Sequence, residues 1–555
     1  MGHLFLSPRR LHPGLHHRVH DFRHHARRVQ RVERRAFRAF DRQHLQPYRL
    51  VAHDQGENLV QGHERRRGHI SGNQRPDHGS FQEVRDAPAR REQHPGRAGG
   101  IHFSDHFKAD RMRRQFLYIV FLALVAGCSI ESSTAERPTE EMLAAKAGEE
   151  YRDFTPDGAW CWFQDPRAVY YRGNHYRTYA GWVDSSGNIS VRHYDHEKDE
   201  LGPVFVLRES LLHNGRADDH DAPSFLVLPD GRIQAFYSPH SANPMWYRVN
   251  ERPENIATWG PEHELGTNTG DGGWGLTYPN PYRLDDEDRI FLFWRGGSGK
   301  PSYSISTDGL QWSCARMLIL GSGRRPYVKY TSNGRNKIHI AFTDGHPHRE
   351  LSNNIYYANY CQDTVWRTPE GGFIKTMDEL PIVPSEAEMV YDGSTKGRAW
   401  IWDIAVDSEG WPVMVFSVMP EKNKHYYHYA CWDGKKWLEN QITFAGPWFP
   451  QTSPGKIETE PFYSGGVVLD HRDPSTVYLS RQVDGVFEIE RWYTADSGGN
   501  WNSEPITRGS KRDNVRPLVS RASPGEPAVL FWMHGDYVHY TQFSTGIKML
   551  TLKNE

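Results

Sequence analysis

The sequence predicts an all-β fold, a seven-bladed β-propeller, and three observations carry that reading. From about Asp157 onward, runs rich in Val, Ile, Tyr, Phe and Trp alternate with Gly-containing turns. Examples are Asp184-Ser185-Ser186-Gly187, Pro229-Asp230-Gly231, Asp407-Ser408-Glu409-Gly410 and Trp432-Asp433-Gly434. Such turns between alternating strands are hairpin signals. Without long helical periodicity they leave a sandwich, a barrel or a propeller. The second observation is Thr494-Ala495-Asp496-Ser497-Gly498-Gly499-Asn500-Trp501, which fits the Asp-box pattern S/T-x-D-x-G-x-x-W. In that pattern the Asp bonds turn amides, Gly takes the turn dihedrals and Trp packs between neighbouring sheets. Ser306-Thr307-Asp308-Gly309-Leu310-Gln311-Trp312 is a shortened copy. Third, about 400 residues at roughly 50 per blade give seven blades before eight or six.

Composition supports a strand-rich chain. Aromatic residues make up 13%, with 18 Trp and 27 Tyr. Most fill a core, and the remainder suit a carbohydrate-facing surface. The five cysteines, Cys128, Cys161, Cys314, Cys361 and Cys431, form no CxxC pair, so neither a zinc finger nor a redox dithiol is indicated. No P-loop, dinucleotide fingerprint, G-x-S-x-G or HExxH stands out, and nothing asks for an organic cofactor.

The near-neutral net charge of -2 hides a basic N-terminus. Residues 1–111 are rich in Arg and His, with no Lys before Lys108 and no sustained periodicity. A nucleic-acid-binding arm normally mixes Lys with Arg. The segment reads instead as a start-site artefact or a disordered stretch, and no nucleic-acid partner is expected. At Met112 the character changes. Residues 112–128 run from Met112-Arg113-Arg114 through an apolar stretch, Phe116 to Ala126, to Gly127-Cys128. That is the export layout, too short for a spanning helix. Cys128 stands where a lipoprotein is lipidated. Residues 129–150 read as a polar tether and residues 151–555 as the propeller and catalytic domain. The expected location is the cell surface or periplasm as a lipoprotein held to the outer membrane, or secretion.

Polar side chains that a strand does not need mark the candidate chemistry. Arg216-Ala217-Asp218-Asp219-His220-Asp221 precedes a strand, a turn at Asp230-Gly231, a second strand and Ser238-Pro239-His240. A hairpin out and back brings His220 and His240 to one blade end, as base and supporting donor. Arg295 follows the apolar run Ile290 to Trp294 and precedes two glycines, poised to project a fork that suits a carboxylate. Tyr278 and Tyr282 are candidates for proton transfer. Arg324, Arg325, Tyr327 and Lys329 make a basic stretch that welcomes an anionic glycan, so Arg325, Tyr327 and Lys329 join Tyr282 as expected substrate-binding residues. His346, His348 and Cys361 offer ligands, at loose spacing, for a structural divalent ion such as zinc or calcium. Asp165 and Arg167 read as channel residues or a structural pair.

With these residues assembled, the chain resembles the BNR-4 repeat group of bacterial propellers from about Gly158 onward. The stretches that carry the resemblance are Trp160 to Arg167, Asp218 to His240, Tyr278 to Gly296, Arg325 to Lys329, Phe342 to His346, Trp400 to Val406, Tyr463 to Arg481 and the Asp box. Within the group, the paired histidines, the Tyr and the Arg look most like the ulvan lyase site. The resemblance implies a seven-bladed propeller that cleaves between a sulfated rhamnose and a uronic acid, with ulvan as partner and a monomeric state. The multi-Arg site of sialidases is not implied, since no FRIP-type motif is found. Elimination at a uronate needs a neutraliser for the carboxylate, assigned to Arg295 with His240, a base for the C5 proton, His220, and an acid for O4, Tyr278, with Tyr282 as substitute. Hydrolysis needs a carboxylate pair, which Asp218, Asp219 and Asp221 offer. A rhamnosidase or other glycoside hydrolase, or a non-catalytic glycan-binding lipoprotein, are the alternatives.

Overall fold

The computed structural model describes residues 151–265, 276–321, 325–449, 452 and 456–553. The basic segment 1–111, the export layout 112–128 with Cys128, the tether 129–150 and Arg324 lie outside the described residues.

Turn chemistry sets the hairpins. Asp184 accepts from the amides of Ser186 and Asn188, both at 2.9 Å. Asp407 does the same for Glu409 and Trp411 at 2.9 and 2.8 Å, and Gly410 supplies the positive φ of 86° that closes its turn. The strands so connected pair into seven sheets of antiparallel neighbours. Their innermost strands, in chain order, are Ala168–Arg172, Ser224–Val227, Thr277–Leu284, Val328–Ser332, Arg398–Val406, Val467–Leu469 and Asp513–Val519. These seven sheets are the blades of a β-propeller, as the turn spacing predicts.

The ring closes at two places. Arg152–Thr155, which precedes the first blade in sequence, is the outermost strand of the last blade, paired with Gln542–Leu552. At the hub, the first and last blades meet through Val169 and Arg521: Tyr170 N donates to Arg521 O at 2.8 Å and Arg521 N to Ala168 O at 2.9 Å.

Both Asp boxes lie between the third and fourth strands of their blades, after Val486–Tyr493 and after Pro301–Ser306. Asp496 accepts from Asn500 N at 2.8 Å, and Thr494 Oγ1 from Gly498 N at 3.0 Å. Trp501 stands edge-on to Tyr429 of the preceding blade, ring centroids 5.3 Å apart. The shortened box repeats the scheme, with Trp312 against Phe236 at 5.8 Å. Each box staples one blade to its predecessor.

The segment 158–167 crosses the channel between blades. Gly158 N donates to Thr545 O at 2.8 Å, Trp162 Nε1 to Ile401 O at 3.2 Å, and Asp165 N to Asn280 Oδ1 at 3.0 Å. Pro166 O accepts from Phe225 N at 2.9 Å. Trp162 stacks on Trp402 with centroids 4.3 Å apart. Below it, Asp165 pairs with Lys329, with Arg167 at 3.3 Å and with Arg521 at 3.8 Å, and Arg521 reaches Asp403 at 3.3 Å. Burial raises the Asp165 carboxyl, but Lys329, Arg167 and Arg521 outweigh it and hold it below its ordinary value. Asp165 and Arg167 are therefore the structural pair.

All innermost strands start on one face, and each connection from second to third strand returns to it. The Asp boxes sit on the opposite face. One prediction follows from their geometry. Gly498 has φ of 87°, and an added Cβ would lie 2.8 Å from Tyr429 Cδ1. Gly498→Ala is expected to destabilise the fold by about 1–3 kcal/mol, read as a lowered midpoint in chemical denaturation.

Candidate active site

The candidate site lies on the face where the innermost strands start. There a cleft of about 610 Å³ is lined by residues including Arg216, Asp218, His240, Arg325, His539 and Tyr540.

Asp218 organises it. It precedes the single 3₁₀ turn Asp219–Asp221, and its Oδ1 accepts from His220 N at 3.0 Å, the bond of an N-cap. The same oxygen lies 2.7 Å from His220 Nδ1, and Oδ2 lies 2.9 Å from His240 Nδ1. An ionised carboxylate only accepts, so both Nδ1 atoms carry protons and each Nε2 is left for chemistry. The two imidazoles stack with centroids 3.8 Å apart and planes within 6°. Burial raises the Asp218 carboxyl, but the two histidines prevail and keep it well below the usual carboxylate range.

The stacked rings are pushed in opposite directions. Burial lowers the His220 pKa, yet Tyr278 and Cys161, when ionised, and the carboxylates of Asp218 and Asp219 raise it well above the ordinary value. Asp219 Oδ1 is also 2.9 Å from its Nδ1. His240 is lowered to about 4, by burial first and by His220 second. At neutral pH the pair is one imidazolium, His220, and one neutral imidazole, His240.

Tyr278 enters through a bulge between Thr277 and Asn280, with φ of 64°. A positive φ in a bulky residue is strained, and here it aims the ring at the site. The ring centroid lies 5.4 Å from that of His220, and its oxygen is 3.8 Å from Cys161 Sγ. Burial raises the phenol well above its ordinary value, so it is a donor. Arg295 ends the strand Arg289–Arg295. Its guanidinium donates to Tyr327 Oη at 3.2 Å, Ser241 Oγ at 3.2 Å and Thr277 Oγ1 at 3.3 Å, and its Cζ sits 4.6 Å from the Tyr278 ring centroid. Arg295 is 6% exposed, and among the described residues no carboxylate pairs with it.

Sequence reasoning missed the support behind His220. Asp219 Oδ2 is held by Arg516 and by Tyr537 Oη at 2.6 Å. Arg516, fully buried, sits at a second bulge with φ of 52° and also donates to Trp160 O at 2.8 Å. Cys161 N donates to Asp219 O at 2.8 Å, so the channel segment forms the floor of the site. Glu460 was missed too. It faces His346 Nε2 at 3.6 Å, and burial with Glu458 raises its pKa to about 7.

The structure brings His220, His240, Tyr278, Arg295, Tyr327 and Arg325 together and separates the rest. Tyr282 donates to Tyr330 O at 2.7 Å, away from the cleft, and cannot replace Tyr278. Lys329 is 1% exposed and spent on Asp165, so it does not bind substrate; both neighbouring faces of its strand are buried in the hub. His346 and Cys361 do not share an ion. Cys361 pairs with Lys337 at one end of the hairpin, while His346 follows Thr343 at the other, about 20 Å away by strand rise. Among the described residues, the donor groups that do converge are Cys161, Asp219 and His220, and Asp218, His220 and His240.

Residues 177–445 match the family described as BNR repeat-containing. No curated protein matches the chain in sequence. Among solved structures, an ulvan lyase of polysaccharide lyase family PL25, bound to -[GlcA(1-4)Rha3S]-, is similar with a TM-score of 0.54 and 15% identity, covering 72% of this chain and 94% of that one. The polysaccharide lyase Uly1 gives a TM-score of 0.46 and 12% identity, over 72% of this chain and 98% of that one. An α-L-arabinofuranosidase from Podospora anserina gives 0.31 and 10%, over 61% and 92%.

Asp218→Asn tests the shared acceptor. It is expected to lower kcat by about 100- to 10,000-fold while the far-ultraviolet circular dichroism stays that of the wild type.

Proposed function

We propose that this propeller belongs to the BNR repeat-containing family and is a polysaccharide lyase that cleaves ulvan-type rhamnose–uronate polysaccharide by β-elimination. The observation that carries the reading is Arg295: a buried guanidinium, next to two imidazoles and a phenol, without a carboxylate among its described partners. A buried cation without a counter-ion is costly. A substrate uronate placed against it supplies the missing charge and gains a stabiliser for the enolate-like intermediate. The similar PL25 ulvan lyase, bound to a glucuronate–rhamnose 3-sulfate unit, supports the same substrate class.

The electrostatics reverse one assignment. Neutral His240 lines the cleft and has an unprotonated Nε2, so it is the base for the C5 proton. Protonated His220 and the neutral phenol of Tyr278 stand as donors toward the departing O4. Groups whose environments push their pKa values apart are the expected acid and base. In the step, the C5–H bond breaks, its electron pair forms the C4–C5 double bond, and the C4–O4 bond breaks. O4 takes a proton and leaves as an alcohol.

The aspartates weighed for hydrolysis do not form a pair of free carboxylates. Asp218 is committed to both imidazoles, and Asp219 to Arg516, Tyr537 and His220. Asp221 is buried, and burial with Asp218 raises its pKa well above the ordinary value, leaving it protonated.

The test is ultraviolet absorbance of unsaturated uronate on ulvan. Wild type is expected to produce it, with kcat/KM lower by about 100-fold or more in His240→Ala and in Arg295→Ala. Full activity in His240→Ala would remove the base. In pH, kcat/KM is expected to rise through about 4 as His240 loses its proton. It should fall again only above the ordinary histidine range, where His220 gives up its own. A fall centred on that ordinary range would contradict the charged His220.

A further inference from the structure

We infer that a second anion subsite, built from Arg349, Arg398 and Lys422 on the fourth and fifth blades, continues the cleft beyond the reacting sugar. It deepens the lyase reading and rests on it for the identity of the polymer.

The geometry gives a path outward from Arg295. Its partner Tyr327 stands edge-on to His346, ring centroids 5.6 Å apart, and His346 lies 6.4 Å from His348. His348 meets Phe462 at 6.0 Å, and Arg398 Cζ sits 4.5 Å from the same ring. Arg398 also donates to Pro347 O at 2.7 Å, which ties the loop carrying His348 and Arg349 to the fifth blade. Lys422 occupies the turn between Pro412–Glu421 and Lys424–Trp432, where its carbonyl accepts from His425 Nε2 at 3.0 Å. The path is several side chains long, more than one sugar ring spans.

The far end of the path is cationic. After burial, Lys422, Arg349 and Arg398 are the groups that lower the His348 pKa, so three cations converge on one exposed imidazole. His348, Arg349 and Lys422 are exposed, and Arg398 is half-buried. Among the described residues none of the three cations pairs with a carboxylate. Of the acids at this edge, Glu421 pairs with Lys424 at 2.7 Å, and Glu460 is raised by burial to about 7 although Arg349 and Arg325 act against that rise. Three cations set against the single carboxyl of Glu460 leave an excess of positive charge, and an anionic group laid among them relieves their repulsion. A polymer charged at every repeat delivers such a group, as a sulfate ester or a uronate carboxylate, whenever its reacting uronate sits on Arg295. The chain then acts on long polymers better than on the shortest cleavable oligosaccharide.

The test is the double variant Arg349→Ala/Lys422→Ala, both exposed and outside the reacting cluster. KM for the polymer is expected to rise about fivefold to thirtyfold, with kcat and the KM for the shortest cleaved oligosaccharide unchanged. Unchanged KM on the polymer would overturn the subsite, as would an equal rise on both substrates. With chemically desulfated polymer, loss of the difference assigns the group as sulfate, and its persistence assigns a carboxylate. Affinity electrophoresis in ulvan gels separates the two readings. If wild type does not cleave ulvan, the lyase reading fails. The subsite still stands if the double variant is retarded less, and falls if retardation is equal.

Discussion

The site depends on one buried electrostatic constraint, the hold of the hub on the segment 158–167. Asp165 is surrounded by Arg167 of the same segment and by Lys329 and Arg521, which come from the fourth and last blades. Removing one partner of such a buried cluster costs about 3–5 kcal/mol, because a charge is left unpaired. The cluster fixes the segment from below, and Trp162 stacked on Trp402 fixes it from the side. Its upper surface, Trp160 and Cys161, bonds Arg516 and Asp219. The position of His220 is thus set by contacts that run through the whole hub.

From that floor the chemistry follows by polarisation. Asp218 binds both imidazoles, and Asp219 adds a second carboxylate to His220 alone. Equal residues in a stack 3.8 Å apart thereby take opposite charge states, which the proposed elimination uses as acid and base. Arg295 stays charged within hydroxyl and phenol donors and acceptors that do not neutralise it. Two strained residues, Tyr278 and Arg516, reach the cluster from bulges on innermost strands. Strain of this kind persists where the surroundings over-determine it.

Much of this was legible in the sequence. The Asp box at Thr494, the Asp-Gly turns and the strand spacing gave the propeller because turn chemistry is local. His220 and His240 were readable as a pair because one hairpin joins them, and Arg295 because a charge ending an apolar strand must project. Arg516 was not readable: 297 residues separate it from Asp219, and only ring closure brings them together. Lys329 was misread for a related reason. A Lys flanked by Tyr327 and Tyr330 looks like basic surface, but an innermost strand is buried on both faces. Cys361 and His346 look close in sequence, yet an antiparallel pair sends them to opposite ends. Which ring is pushed up and which down was not readable either, because it depends on the carboxylates around each.

The central claim is that Arg295 and the divided histidine pair perform an elimination, in which water takes no part. Digestion of ulvan in water enriched in the heavy oxygen isotope, followed by mass spectrometry of the fragments, tests it most directly. The account predicts unlabelled fragments, one end of each carrying an unsaturated uronate and no added water. Fragments heavier by one labelled water at the new reducing end would contradict it and establish a hydrolase.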